Sequence, residues 1–284
     1  MKRVWILAVF CLVVILMAAP LWAADDQTEL AKKAQTPAAD DETELAKKAQ
    51  NPVADLISIP IQSNFNFNYG ANRDKSQIVT NIQPVVPISL NKDWNLITRS
   101  ILPVVYTEFP AYQTGLGNLQ FTGFLSPANP GRLIWGVGPV FQLPTNTSTN
   151  LGSNLWSTGP SAVGLVVTEH WVVGLLAQNV WSFAGPGGRD NSKVNQFLAQ
   201  YFINYNLPHG WYITSSPIIT ADWTASGSDQ WTVPIGLGAG KIFKIGKLPF
   251  NANVSAFYNV VRPSVGPDWS VRGQIALLLP KSLF

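Results

Sequence analysis

Residues 57–69 read ISIPIQSNFNFNY, with apolar side chains on the odd positions except Ser63 and polar side chains or Pro60 on the even ones. Successive side chains of a β-strand point to opposite faces, so this segment predicts a strand with one apolar and one wet face. Similar segments of about ten to thirteen residues recur to the C-terminus, separated by polar or Gly/Pro-rich turns. This recurrence is typical of a transmembrane β-barrel.

Composition favours the same fold. The chain is 46% hydrophobic and only 12% charged, about half the charged fraction of a typical soluble domain. After the N-terminal segment no apolar stretch is long enough for a spanning helix, and a closed barrel is the other structure that pairs every backbone group in lipid. The strands of a soluble β-sandwich also alternate between polar and apolar residues, but a sandwich of this sequence would expose much apolar surface to water. The net charge of +3 suggests neither nucleic acid nor a highly charged ligand.

The N-terminus predicts a secretory signal peptide over residues 1–23. Lys2 and Arg3 precede an apolar run over residues 4–17, and small residues follow, with cleavage favoured after Ala23. The alternative, a membrane anchor, requires about twenty apolar residues, and this run is shorter. The only cysteine of the chain, Cys11, lies in the predicted signal, so the mature chain is expected to have no disulfide and no thiolate metal site.

Residues 24–55 form a predicted periplasmic leader that contains a tandem repeat. Residues 26–35 (DQTELAKKAQ) return as residues 41–50 (DETELAKKAQ), and each copy predicts a short helix with Asp26 or Asp41 as its N-cap. Isolated helices this short are marginal in water. Two readings stay open: a flexible leader produced by duplication, or a plug or a contact with a periplasmic partner.

Residues 56–284 are predicted to form an all-β, up-and-down antiparallel barrel of about twelve strands. An even strand number places both chain ends in the periplasm, where short turns are expected, with longer loops outside. Tryptophans beside the predicted turns favour an aromatic girdle. The predicted strands are 57–69, 77–90, 94–106, 117–126, 133–144, 156–168, 171–184, 194–206, 211–223, 230–241, 248–260 and 269–280.

The C-terminus indicates how the barrel is inserted. Phe284 ends the chain after an alternating strand, which resembles the assembly signal of bacterial outer-membrane proteins. We therefore expect outer-membrane lipid, periplasmic chaperones and the barrel-assembly machinery as partners.

Several segments resemble a family of proteobacterial β-barrel transporters grouped with a phenol-degradation pathway protein, whose members are often misnamed neuromedin U. The segments are residues 94–99 (WNLITR), 125–127 (LSP), 130–139 (PGRLIWGVGP), 156–161 (WSTGPS) and 181–185 (WSFAG), of which PGRLIWGVGP is the most specific. The resemblance covers nearly the whole mature chain. It implies an outer-membrane transporter-like barrel, without a defined substrate and without catalytic residues.

An enzyme is the less favoured class. Outer-membrane lipases and acyltransferases need a Ser or Tyr near a His and a carboxylate or amide, yet His170 and His209 both fall in predicted periplasmic turns. Metalloprotease, phosphate-loop and nucleophile-elbow motifs are missing from the sequence. No catalytic residue, metal site or cofactor is predicted.

The inward side chains of the predicted barrel are mostly neutral and polar. Arg99 and Arg272 are assigned to the lumen because a cation in mid-strand facing lipid costs roughly 2–4 kcal/mol, and Asp222 is a candidate acidic counterpart. Alternatively, these three residues form an internal salt-bridge network, or the amides bond to one another and seal the lumen. The candidate lumen-lining or constriction residues are Arg99, Arg272, Asp222, Asn64, Asn66, Asn81, Gln83 and Gln200.

The sequence as a whole predicts a bacterial outer-membrane channel or transporter for passive passage of small polar or aromatic solutes. The alternative is a sealed structural or surface-interaction barrel, and an outer-membrane lipid-modifying enzyme is the less favoured third reading.

Overall fold

The computed structural model describes residues 37–53, 56–186, 193–246 and 248–280. The signal peptide, the first repeat copy and Phe284 lie outside the described residues. One helix, α1, spans Pro37–Ala49, and a short 3-10 helix spans Gly227–Asp229. The strands are β1 Leu56–Tyr69, β2 Lys75–Ile82, β3 Val85–Ser89, β4 Trp94–Thr107, β5 Gln113–Leu116, β6 Leu119–Pro127, β7 Leu133–Leu143, β8 Trp156–Val167, β9 Trp171–Ala184, β10 Asn195–Asn206, β11 Trp211–Ser215, β12 Ile218–Asp222, β13 Trp231–Ile245, β14 Leu248–Val261 and β15 Trp269–Pro280.

The strands form one antiparallel sheet that closes on itself. Each barrel strand pairs with its neighbours in the chain, and β1 pairs with β15 to complete the circle. Three barrel strands are interrupted, giving the pairs β2 and β3, β5 and β6, and β11 and β12, so the fifteen segments make a barrel of twelve strands. The predicted all-β antiparallel barrel of about twelve strands is confirmed.

The sequence prediction is wrong at the three interruptions: it made the second and ninth strands continuous, and its fourth strand, residues 117–126, lacks β5. Pro84 and Pro217 stand at two of them, and proline has no N–H to give to a neighbouring strand. The third interruption lies at Gly117 and Asn118, where the Asn118 side chain replaces strand pairing by bonding to loop backbone. All three interruptions turn polar groups toward the lumen, which matters for the site below.

The two ends of the barrel differ in their connections. Short turns join β3 to β4, β6 to β7, β8 to β9, β10 to β11 and β13 to β14 at the end where β1 begins and β15 finishes. The other end carries the longer connections, among them residues 144–155 and 223–230. We assign the short-turn end to the periplasm and the long-loop end to the outside.

Aromatic pairs lie at both ends, and apolar side chains face outward between them. At the periplasmic end the rings of Trp94 and Trp135 have centroids 6.1 Å apart, and at the outer end Trp223 and Trp231 are 5.3 Å apart. Outward positions between these rings are apolar and exposed, as at Leu237, which is 66% exposed. This surface is suited to lipid. No helix among the described residues is long and apolar enough to cross a membrane.

Helix α1 contains the second repeat copy, but its start differs from the prediction. The helix begins at Pro37, so Asp41 lies inside it and is not the N-cap. Proline is favourable in the first turn because the first helical N–H groups have no intrahelical acceptor. The helix ends at Ala49, shortly before Pro52, as proline requires.

Candidate functional site

The lumen contains a cavity of about 770 Å³, which we call the inner cavity. At the periplasmic side its lining includes residues 48–52, and toward the outside it reaches residues 149–153 of the loop between β7 and β8. Between these limits the wall alternates between amide-bearing and apolar side chains. The cavity is the candidate site because it runs along the inside of a closed barrel.

Five of the sequence-predicted residues line the inner cavity: Arg99, Arg272, Asn81, Gln83 and Gln200. Arg99, on β4, donates to Gln83 Oε1 at 2.9 Å, and Gln83 lies at the interruption between β2 and β3. Placing Arg99 in the lumen also turns Ile97, Ile101 and Val105 of the same strand inward, because alternate residues of a strand share a face, and Ile101 and Val105 do line the cavity.

Arg272, on β15, reaches across the lumen. Its Nε donates to Asn64 Oδ1 at 2.9 Å, and a terminal guanidinium nitrogen donates to the carbonyl of Ser216 at 2.8 Å, at the interruption between β11 and β12. The guanidinium carbon lies 4.6 Å from the ring centroid of Phe257. Arg272 therefore donates to a carbonyl that the interruption of the strand leaves without a strand partner. Because Arg272 has two hydrogen-bond acceptors and an aromatic ring around it, its side chain is held more firmly than that of Arg99, which has one acceptor.

The other predicted residues lie near the cavity but do not join one network. Asn66 donates to Gln77 Oε1 at 3.1 Å on the neighbouring strand. Asp222 lies at the outer end of β12, where its Oδ1 accepts from the backbone N–H and the hydroxyl of Thr224. None of the ion pairs among the described residues includes Arg99, Arg272 or Asp222, so the alternative of a salt-bridge network among these three residues has no ion pair to support it in this part of the chain.

Part of the lumen wall is apolar, and it extends beyond β4 to strands where the sequence analysis assigned no apolar residue to the lumen. Buried side chains from β4, β6, β8, β9 and β10 pack together inside the barrel, and the cluster comprises Val53, Ile97, Phe124, Val163, Leu165, Val172, Leu176 and Phe202. Strands β8 and β9 carry apolar residues on both faces, so period-two alternation could not indicate which face was inward. The signal available in the sequence was the continuous run of apolar residues in each of these strands, which indicates that both faces of the strand are apolar.

A glutamine layer separates the inner cavity from a second cavity of about 330 Å³ nearer the outside, the outer cavity. Gln178 on β9 donates to Gln120 Oε1 on β6 at 3.0 Å, a bond between barrel strands that are not neighbours. Such a bond narrows the lumen at this level. The layer consists of Gln120, Gln142, Gln178 and Gln196, which line both cavities.

The outer cavity carries the acidic groups. Asp222 and Asp229 both line it, and each is engaged by its own surroundings. Asp229 Oδ1 accepts from the backbone N–H of Ser264 at 2.7 Å, so it joins the two outer connections at 223–230 and 262–268. Both carboxylates therefore hold loops, on the far side of the glutamine layer from the two lumen arginines.

The outer loop at 144–155 is fastened to the interrupted fourth barrel strand. Asn118 accepts from the backbone N–H of Ser153 at 2.6 Å and donates to the carbonyls of Ser153 and Leu143 at 2.7 and 2.8 Å. This places residues 149–153 on the lining of the inner cavity. The loop therefore forms part of the wall of the inner cavity.

The periplasmic end is filled by α1 and residues 50–53, which we call the plug. Ala46 is fully buried against Leu56, Ile242, Ala276 and Leu278. Gln50 Nε2 donates to Asn206 Oδ1 at 2.8 Å, and Asn206 is almost fully buried. Val53 enters the apolar cluster of the lumen. The second repeat copy thus packs against the inner wall, which bears on the two readings of the leader.

Both histidines of the chain lie in turns and not in the lumen. His170 lies in the turn between β8 and β9 and stacks on Tyr205, and His209 lies in the turn between β10 and β11. Both turns are at the periplasmic end, as the sequence predicted. The described residues contain no cluster of three or more His, Cys, Asp or Glu residues that could hold a metal ion.

Comparison with solved structures places the fold among outer-membrane barrels. No protein-family model and no curated protein matches the chain. The chain is similar to the crystal structure of the COG4313 outer membrane channel from Pseudomonas putida F1, with 16% identity over 78% of this chain and 95% of that chain and a TM-score of 0.60. It is also similar to the NanC porin (8% identity, 77% and 98% covered, TM-score 0.49) and to a Pseudomonas aeruginosa FadL homologue (11%, 80% and 91%, 0.39).

At these identities the likeness concerns the fold. A closed barrel of twelve strands with an apolar outer surface is a protein of the bacterial outer membrane, and the predicted location is confirmed. The more specific resemblance to the phenol-pathway group stays a prediction, because no family model matches.

Proposed function

We propose that this protein is a passive channel or transporter for small polar or aromatic solutes across the outer membrane. The observation that carries the proposal is the inner cavity of about 770 Å³, which follows the barrel interior and is lined by amide side chains together with two arginines. Amides offer both donors and acceptors, so they can replace the hydration of a passing polar solute. The apolar part of the wall can receive an aromatic or aliphatic body.

Three elements set the width of the proposed passage. These are the loop held by Asn118, the glutamine layer, and the plug at the periplasmic end. Arg99, Arg272, Asn81, Gln83 and Gln200 are proposed to contact solute in the inner cavity, with Asn64 and Asn66 holding their neighbours and Asp222 at the outer mouth. The plug then limits the size of the solute that can pass. Periplasmic chaperones and the barrel-assembly machinery are the proposed partners during insertion.

Liposome swelling tests the proposal. Mature protein, and a form that lacks residues 24–55, would be refolded into liposomes and exposed to neutral solutes of increasing size. We expect swelling with the smallest solutes for the full mature chain, and a higher size limit once the plug is gone. If neither form admits any solute while both are folded, the channel proposal is wrong.

A sealed barrel is the second candidate, and a specific observation favours it. The bond between Gln178 and Gln120, and the reach of Arg272 to the Ser216 carbonyl, both cross the lumen and tie non-neighbouring strands together. Small barrels can be filled by such side chains and serve a structural or surface-interaction role. The swelling experiment separates the two, because removing the plug leaves these cross-lumen bonds in place.

A further inference from the structure

The inner cavity carries positive charge without acidic partners. Lys48 of the plug, Arg99 and Arg272 line it, and its lining contains no Asp or Glu among the described residues. The acidic side chains Asp222 and Asp229 lie in the outer cavity, where they hold loop backbone. A solute in the inner cavity therefore meets three cations, and the hydrogen-bond partners of Arg99 and Arg272 on the protein are neutral.

Arg99 retains most of its hydrogen-bonding capacity. A guanidinium has five N–H donors, and the described residues accept from only one of them, at Gln83, which leaves four. Arg272 has three left after its bonds to Asn64 and Ser216, and the Phe257 ring covers one face of it. Arg99 is therefore the better placed of the two to receive a ligand.

The surroundings of Arg99 indicate what kind of anion fits. Ile101 and Val105 follow Arg99 on the inward face of β4, and Leu198 and Phe202 line the same cavity from β10. An inorganic anion gains nothing from these apolar side chains, whereas the hydrocarbon body of an organic acid would be removed from water against them. The planar guanidinium fork matches a carboxylate, which can accept two parallel N–H bonds.

We propose that the inner cavity binds a small organic monocarboxylate, with its carboxylate on Arg99 and its apolar body against Ile101 and Phe202. Lys48 and Arg272 favour the same anion through their charge, and Arg272 also holds the interrupted ninth barrel strand. The cavity volume is within the range of small-molecule sites. The assignment rests on the proposed function in that the ligand is the solute that passes, but binding can be measured without passage.

The test uses benzoate and its neutral isostere benzamide on the folded mature protein in detergent, by equilibrium dialysis. We expect benzoate to bind at least about tenfold more tightly than benzamide, because charge-assisted bonds to a guanidinium are roughly twice as strong as neutral ones. Inorganic phosphate is expected to compete poorly. Equal binding of benzoate and benzamide, or phosphate competing as well as unlabelled benzoate, would overturn the proposal. This comparison needs no variant and does not depend on how a mutant folds.

Variants then locate the site. Arg99→Gln is expected to weaken benzoate binding at least about tenfold, and Arg99→Lys, which keeps the charge but loses the fork, is expected to weaken it less. Arg132→Gln is the matched control, since Arg132 is exposed in the turn between β6 and β7. If a folded Arg99→Gln or Arg99→Lys protein binds benzoate as the Arg132→Gln protein does, the carboxylate does not sit on Arg99 and the proposal is wrong.

Measurements in bilayers separate this proposal from the channel proposal. Benzoate binding with no ion current would keep the carboxylate site and remove the channel. Ion current without preference for anions, together with absent benzoate binding, would keep the channel and remove the site. Anion preference that falls in Arg99→Gln but not in Arg132→Gln would support both.

Discussion

The plug is expected to leave the lumen when Ala46 is replaced by aspartate. Ala46 is fully buried against Leu56, Ile242 and Leu278, and no described cation lies among these contacts. An uncompensated buried carboxylate costs about 3–5 kcal/mol. Two contributions favour docking of the plug and oppose this cost. They are the burial of Val53, about 1.5–3 kcal/mol, and the Gln50–Asn206 hydrogen bond, about 1 kcal/mol. Because the cost equals or exceeds these contributions, docking of α1 should weaken by about a hundredfold or more.

Limited trypsin digestion measures this docking directly. Lys47 and Lys48 lie in α1, and the Lys47 side chain is only 13% exposed. Cleavage after these lysines should accelerate in Ala46→Asp, and liposome swelling should increase in parallel. Ala46→Ser is the matched control, because a hydroxyl at this position can bond to the helix backbone and carries no charge. The reasoning is refuted if Ala46→Asp is cut no faster than Ala46→Ser.

Three other substitutions test the glutamine layer, the loop at 144–155 and the packing inside the barrel wall. Gln178→Ala removes the cross-lumen bond of the glutamine layer, so conductance of the form lacking residues 24–55 should rise; the isosteric Gln178→Met should raise it less. Asn118→Ala leaves loop groups unpaired and should lower the free energy of unfolding by about 1–3 kcal/mol, measured by urea titration. Gly240→Val should destabilise the barrel by at least about 1 kcal/mol, because an added Cβ at Gly240 would collide with the Tyr212 ring.

Each of these predictions has a contradicting result. Unchanged conductance in Gln178→Ala would mean that the glutamine layer is not the narrowest level. Wild-type stability of Asn118→Ala would mean that the loop at 144–155 is held by other contacts, and wild-type stability of Gly240→Val would mean that the Tyr212 ring can move aside.

The barrel was predictable because lipid imposes a strict pattern on its strands. In β1, the alternation of residues 57–69 fixed the face of every side chain, and the structure places Gln62 inward and Ile61 outward. The interruptions were harder to predict, because apolar residues continue on both sides of Pro84 and Pro217 and the sequence therefore indicated continuous strands there.

The site was predictable only in part. Arg99 and Arg272 were assigned to the lumen because a cation in mid-strand avoids lipid, and both line the inner cavity. Their partners were not predictable, because Asn64 and Ser216 approach Arg272 from strands distant in the sequence. The apolar part of the wall on β8 and β9 was not predicted for another reason. These strands are apolar on both faces, so their sequence shows no alternation from which the inward face could be predicted.

The sequence left a flexible leader and a plug both open, and it could not show how the second repeat copy packs. The repeat at 41–50 has the composition of a solvated helix, and only one alanine and its neighbours carry the packing. Ala46 has only a methyl side chain, from which its burial could not be predicted. Its contacts with Ile242 and Leu278 join segments that are far apart in the chain.

Ion conductance in planar bilayers tests the central claim most directly, with the full mature chain and the form lacking residues 24–55 compared under the same salt. The account predicts small discrete steps for the full mature chain and larger ones for the form without the plug, since the inner cavity then opens to the periplasm. Silence from both forms, with folded barrels shown by heat-modifiable migration in gels, would contradict it.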